Sequence, residues 1–182
     1  MKKSTVKESI RLDRKLYLGR KHLLYFLIKH QNYIYYKAIK YNRWYRYYKQ
    51  KRYNGINAFF FYFFTRKKNK YCNKYGIELN GASFGEKIKL YHGDIVINEQ
   101  AQIGNNCKLH GNNCIGNNGD NNLCPIIGDN VDIGYGTTII GNVKISSNIV
   151  IGANSLVNKD LLEENCIYAG SPAKKIKRIQ NC

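Results

Sequence analysis

The sequence predicts a mainly β protein, a parallel β-helix preceded by an α-helical extension. Two observations lead to this prediction. Aliphatic residues recur every six positions from Ile97 to Val157, and the first 75 of the 182 residues differ sharply in charge from the rest. Of the 30 Lys and Arg residues, 21 lie in residues 1–75, against only Glu8 and Asp13 among the acids. The formal net charge of +18 therefore belongs to one segment, and residues 76–182 are almost neutral.

The six-residue period is the stronger observation. Ten of the eleven positions counted in steps of six from Ile97 to Val157 are aliphatic, and glycine often follows. An α-helix repeats every ~3.6 residues and a strand every ~2, so this period fits a short strand plus a turn, repeated as in a β-helix. Three such units close one coil. We expect one column of stacked side chains, one coil apart: Ile97, Ile115, Ile133 and Ile151.

The repeat has one exception, Asn121, within a polar, glycine-containing stretch over residues 117–125. One unit of the repeat has lost its inward aliphatic side chain there. We expect an extruded loop between Ile115 and Ile127, and long polar loops on rigid scaffolds often carry function.

Residues 1–75 contain two glycines and no proline, and their apolar residues are spaced by three and four, which favours helices. Three roles are open for this segment. It could cap the end of the β-helix, contact an anionic membrane surface through its basic and aromatic residues, or bind nucleic acid. No nucleic-acid motif is present, so we expect no nucleic-acid partner.

The remaining composition suggests a cytoplasmic protein. No apolar run is long enough to span a membrane, and no signal peptide follows the basic N-terminus. None of the six cysteines is spaced as CxxC, so we expect reduced thiols and no metal. The predicted organisation is a basic helical extension over 1–75, a β-helix over 76–168 and a tail over 169–182.

Five stretches after residue 75 carry a family resemblance by their order and spacing. They are Leu90–Gly93, Ile95–Asn98, Cys124–Gly134, Ile151–Val157 and Ala169–Lys174. Together they resemble the hexapeptide-repeat acyltransferases, in the branch similar to serine O-acetyltransferases that also occurs in polysaccharide biosynthesis. The resemblance implies a left-handed β-helix, a homotrimer and acetyl-CoA bound between subunits. It also implies acetyl transfer to a hydroxyl with a histidine as general base and without a metal.

The resemblance selects His92 as that base, with Glu78 or Asp94 to orient its imidazole. The competing interpretation is a histidine held by local hydrogen bonds at a coil edge. His110 is the second candidate for the base. In an ungapped alignment Tyr91 takes the catalytic position, but a tyrosine with a pKa of about 10 is a weak base at neutral pH.

For acetyl-CoA, the resemblance points to the later coils and the tail. Backbone groups of three residues would contact the cofactor, and two lysines would lie near its phosphates; as surface residues, these lysines could equally be solvated charges. The predicted residues are Gly136, Ala153, Asn154, Lys159 and Lys174. The second histidine that serine acetyltransferases place before the proline is replaced here by Cys124.

From these features we expect an O-acetyltransferase acting on a sugar hydroxyl in a surface polysaccharide or its precursor. A lipid-linked saccharide acceptor would explain residues 1–75 as a peripheral contact at the inner face of the membrane. Two alternatives remain open, a serine O-acetyltransferase of cysteine biosynthesis and a non-catalytic trimeric scaffold.

Overall fold

The structure is a computed structural model that describes residues 2–119 and 122–179. Its N-terminal part is a helical bundle in which α1 and α4 pack against α3. Aromatic side chains fill the contact between α3 and α4, where the rings of Trp44 and Phe64 stack 5.6 Å apart. The helices are α1 (Lys3–Leu18), α2 (His22–Leu27), α3 (Gln31–Lys49) and α4 (Gly55–Cys72), with 3₁₀ turns at Gly19–Lys21 and Asn73–Tyr75.

Fifteen short strands follow in the described residues and form three sheets, one on each side of the coils. Sheet A holds β1 (Ile77–Glu78), β4 (Ile95–Ile97), β7 (Cys114–Gly116), β10 (Thr138–Ile140) and β13 (Leu156–Val157). Sheet B holds β2 (Ser83–Phe84), β5 (Gln102–Ile103), β8 (Ile126–Ile127) and β11 (Lys144–Ile145). Sheet C holds β3 (Lys89–Leu90), β6 (Lys108–Leu109), β9 (Asp132–Ile133), β12 (Val150–Ile151), β14 (Cys166–Ala169) and β15 (Lys174–Arg178).

All strand pairs are parallel except β14 with β15, which are antiparallel. Since β14 runs to Ala169, the predicted boundary after residue 168 falls inside a strand. Apart from β2 and β15, each strand buries an aliphatic residue inside the coils or, in β14, a cysteine and a tyrosine, in line with the six-residue period.

The predicted column of isoleucines is correct in two places and wrong in one. Ile97 pairs with Ile115, and Ile133 pairs with Ile151. Ile115, however, pairs with Ile139, and the partner of Ile133 in the preceding coil is Leu109. The loop between β7 and β8 adds residues without adding a strand, so the register moves by one repeat unit. Asp120 and Asn121 of this loop lie outside the described residues.

Asparagines, as well as glycines, make the turns. Asn106, Asn130 and Asn148 have φ of 55°, 56° and 59°, in the left-handed region that asparagine tolerates better than most residues. Their side chains form a ladder: Asn106 Nδ2 donates to Asn130 Oδ1 and Asn130 Nδ2 donates to Asn148 Oδ1, each at 2.9 Å. This ladder fixes one corner of three successive coils.

The bundle is joined to the first coil by buried polar contacts. Asp13 of α1 accepts from Arg43 Nε of α3 at 2.7 Å and from the backbone N–H of Lys87 at 3.1 Å. Arg43 also donates to the carbonyl oxygen of Gly85 at 2.6 Å. The Tyr17 hydroxyl accepts from the Leu90 N–H at 2.6 Å, which seats α1 against β3. The helices therefore cover the first coil.

Candidate active site

One corner of the β-helix brings together two imidazole rings, two phenol rings and one carboxylate. Leu90, Leu109 and Ile133 pair in register in sheet C, so the residues that follow them lie above one another. We call this site the histidine corner and define it by the following residues: Tyr91, His92, His110, Asp132 and Tyr135.

His110 has the most defined geometry at the histidine corner. Its Nε2 lies 2.7 Å from Asp132 Oδ1, and its ring stacks on Tyr91 with centroids 4.7 Å apart and planes 17° apart. The other oxygen of Asp132 accepts from Lys108 Nζ at 3.3 Å. A carboxylate that accepts an N–H from one imidazole nitrogen leaves the lone pair on the other, which can then accept a proton.

His92 is more exposed than His110. Its ring meets the Tyr135 ring edge to face with centroids 6.4 Å apart. The chain of the next coil passes directly above it at Gly111, where an added Cβ would lie 2.5 Å from His92 Cβ. Glycine at position 111 therefore leaves space for the imidazole at this corner.

The two carboxylates predicted to orient His92 lie beside the helical bundle. Asp94 donates its N–H to the Tyr75 carbonyl oxygen at 2.9 Å, and its carboxylate occupies the space next to Gly76. Glu78 lies near Lys68 of α4; burial lowers the pKa of Lys68, and the charge of Glu78 acts in the opposite direction. Within residues 2–119 and 122–179, neither acid hydrogen bonds His92, and their orienting role stays a prediction.

Three of the residues predicted to bind the cofactor lie together next to the histidine corner. Gly136 has φ of 72°, and an added Cβ would lie 2.2 Å from Asn154 Oδ1. The Asn154 N–H donates to the Tyr135 carbonyl oxygen at 2.7 Å, and Ala153 precedes it. Lys174 begins β15 and, like Lys159, is exposed.

Sequence reasoning missed two residues that shape this corner. The first is Asp132, the partner of His110. The second is Asn113, whose Oδ1 accepts from the Gly111 N–H at 3.0 Å while its Nδ2 donates to the Gly134 carbonyl oxygen at 2.8 Å. Asn113 thus ties two successive turns of the corner together. An asparagine two residues after a glycine in a turn was the available signal for it.

Cys124, which replaces the histidine before the proline, is buried. Burial raises the pKa of its thiol, which favours the protonated form. Among the described residues, no group of three or more His, Cys, Asp or Glu side chains is arranged to hold a metal ion.

Comparisons with known proteins give the fold and its relatives. No family model matches the chain. A serine acetyltransferase of Staphylococcus aureus is 36% identical over 107 residues, which cover 57% of this chain and 50% of that protein. The chain therefore spans about half the length of the curated relatives it matches.

Among solved structures, the serine acetyltransferase of Neisseria gonorrhoeae aligns with all of this chain and 70% of its own, with a TM-score of 0.77 and 24% identity. That of Brucella abortus in complex with coenzyme A covers 98% of this chain and 70% of its own, with a TM-score of 0.76 and 23% identity. The predicted fold class is confirmed: a left-handed parallel β-helix with an N-terminal α-helical extension.

The same comparisons correct the predicted acceptor. The matched relatives and structures are named serine acetyltransferase, so the prediction of a sugar O-acetyltransferase of surface polysaccharide is wrong, and the lipid-linked saccharide acceptor falls with it. The assignment to a polysaccharide-biosynthesis branch has no support either. In the part of the chain that the structure describes, no helix combines the length and the apolar character needed to cross a bilayer.

Proposed function

We propose that this protein transfers an acetyl group from acetyl-CoA to the hydroxyl of serine. The observation that carries this proposal is the histidine corner, built on a fold shared with serine acetyltransferases over the whole described chain. The acceptor comes from the names of the relatives, one of which was solved with coenzyme A.

In this reaction an imidazole takes the proton of the serine hydroxyl as the oxygen attacks the thioester carbonyl carbon. The tetrahedral intermediate collapses, the carbon–sulfur bond breaks, and the sulfur leaves with the electron pair and receives the proton. Backbone N–H groups that point at the developing oxyanion stabilise it. The chemistry needs no redox partner, because only the acetyl group and one proton move.

We propose His92 as the general base, as the resemblance selects it. Its exposure lets a substrate hydroxyl reach the ring, and Gly111 leaves it room. His110 is the second candidate, because Asp132 holds its ring and sets its tautomer. Both histidines lie at one corner, so variants of each decide which imidazole takes the proton.

For acetyl-CoA, we propose backbone contacts at Gly136, Ala153 and Asn154. Their support is proximity, since all three adjoin the histidine corner on the next coils. Lys159 and Lys174 are proposed for the phosphates, where an exposed ammonium group suits an anion.

A homotrimer is proposed as the working assembly. In one subunit the histidine corner is an open surface, with Tyr91 36% and Tyr135 48% exposed. Neighbouring subunits would supply the walls that exclude water from the thioester.

We also propose a peripheral contact of residues 1–75 with an anionic membrane. Its support is the excess of 21 Lys and Arg over two acids in this segment, because each basic residue near such a surface contributes about 1 kcal/mol.

The test measures the serine-dependent loss of the acetyl-CoA thioester, which is monitored by its ultraviolet absorbance, with the purified full chain. We expect His92→Ala to lower turnover by about 10²-fold or more while light scattering shows an unchanged trimer mass. His22→Ala, at a histidine of α2, is the matched control. If His92→Ala retains turnover and His110→Ala and Asp132→Asn lose it, the base is His110. Absence of both serine-dependent turnover and CoA binding by calorimetry would favour the non-catalytic scaffold.

A further inference from the structure

Helix α2 presents most of its apolar side chains to solvent. None of its six residues is buried. Leu23 and Leu27 are 66% and 65% exposed, and Leu24, Phe26 and the following Ile28 are each at least half exposed. Large contiguous apolar patches on a protein surface usually mark a contact with a partner or a membrane.

A cavity of about 430 Å³ lies beside this helix, between α2, α3 and the end of α4. Its lining combines apolar and cationic residues. The apolar residues are Phe26, Leu27, Tyr33, Ile34 and Tyr71, and the cationic residues are Lys29, Lys70 and Lys74. Within residues 2–119 and 122–179, none of these three lysines forms an ion pair with an acid. We call α2, Ile28 and this cavity the α2 surface.

The basic lining continues along α4. Lys70 is shared with a neighbouring hollow of about 720 Å³, which Phe63, Arg66 and Lys67 also line. Aromatic and basic side chains therefore occur together around this part of α4. This combination suits the boundary between lipid headgroups and acyl chains, where apolar side chains insert and lysines stay with the phosphates.

We propose that the α2 surface is the docking site for an anionic lipid membrane, with Leu23 and Leu27 inserted and Lys70 and Lys74 against lipid phosphates. This inference rests on the proposed peripheral contact and names the face that makes it; it does not depend on acetyl transfer. Charge separates this occupant from a second copy of the chain. The segment that carries the surface holds 21 basic residues and two acidic ones, so two copies placed face to face repel each other.

The experiment is sedimentation of the full chain with phosphatidylcholine vesicles and with mixed phosphatidylcholine–phosphatidylglycerol vesicles. We expect binding only to the mixed vesicles. The pair Lys70→Glu and Lys74→Glu should weaken binding by about thirtyfold or more, and the pair Leu23→Ser and Leu27→Ser by at least about tenfold. All four side chains are exposed, and Trp44 fluorescence checks that the bundle stays folded.

A matched control removes the same charge from another helix, with Lys7→Glu and Lys15→Glu on α1. Nearly full binding of this control supports the α2 surface, whereas an equal loss shows that net charge alone acts and overturns the inference. Unchanged binding of the leucine pair also overturns it, as does self-association that depends on Leu23 and Leu27. Failure of the parent chain to bind mixed vesicles would instead remove the peripheral contact itself. Acetyl transfer in vesicle-free buffer is measured separately and should be equal in all variants.

Discussion

The buried ion pair between Asp13 and Arg43 should control how firmly the helical bundle holds the β-helix. Asp13 is fully buried, and the Arg43 side chain is 8% exposed. Arg43 Nε and Nη2 donate to the two oxygens of Asp13 at 2.7 and 3.3 Å, and the guanidinium also donates to the carbonyl oxygens of Phe84 and Gly85. One cation thus joins α1, α3 and the turn after β2.

Asp13→Asn removes the negative charge and keeps the shape. Arg43 then stays buried without a counter-ion, and breaking such a pair from one side costs about 3–5 kcal/mol. The assay is urea unfolding at fixed protein concentration, followed by the fluorescence of Trp44, the single tryptophan of the chain, which lies in α3. We expect the free energy of unfolding to fall by this amount, so that the bundle transition moves to a lower urea concentration.

Two further variants make the result interpretable. Glu8→Gln breaks the exposed pair with Arg11 and should change stability by less than about 0.5 kcal/mol. Adding Arg43→Met to Asp13→Asn removes the uncompensated charge and should recover part of the loss, because apolar replacements of buried pairs are often tolerated. If Asp13→Asn stays within about 1 kcal/mol of the parent, the carboxylate does not neutralise Arg43 and the proposed docking of the helices is refuted.

Two other predictions concern the packing of the coils and of the buried core. Gly134→Ala places a Cβ 2.5 Å from the Ala153 backbone nitrogen, so we expect a loss of about 1–3 kcal/mol in urea unfolding, while Gly55→Ala, with open space around it, should be neutral. Equal stabilities of these two variants would contradict the tight stacking of successive turns. Among the cysteines of the described residues, exposed Cys114 should react with a maleimide in the native protein, as mass spectrometry can show. Cys72 and Cys107 should be protected, because burial raises their thiol pKa values to about 12 and about 11; their labelling at the rate of Cys114 would contradict the packed core.

The fold could be predicted because a β-helix needs a buried aliphatic residue in nearly every strand, and these residues recur at a regular interval in the sequence. Ile97, Ile115, Ile133 and Ile151 all lie inside the coils, as the six-residue period required. The turns were less visible, since asparagines such as Asn130 take the left-handed conformation at several corners. Their role depends on the side-chain ladder between coils, which no local pattern shows.

The loop after β7 sets the register of the later coils, and the six-residue period does not reveal this. A count in steps of six continues through loop residues in the sequence, although these residues form no strand in the fold. Ile115 therefore meets Ile139, and the coil before Ile133 is the one that carries Leu109. The size of that shift depends on how many residues the loop takes out of the coil, and this is a property of the folded chain.

The same shift explains why the pair of His110 and Asp132 went unrecognised. The two residues lie 22 positions apart in the sequence, which is more than one regular coil of three six-residue units. Counting by the six-residue period therefore does not place Asp132 next to His110 on the neighbouring coil. In the structure β9 pairs with β6, and this pairing brings the carboxylate to 2.7 Å from the imidazole. A change in the length of residues 117–125 that leaves the register intact should therefore preserve the pair. The loop is in this sense a structural requirement of the histidine corner, because it selects which coil lies next to His110.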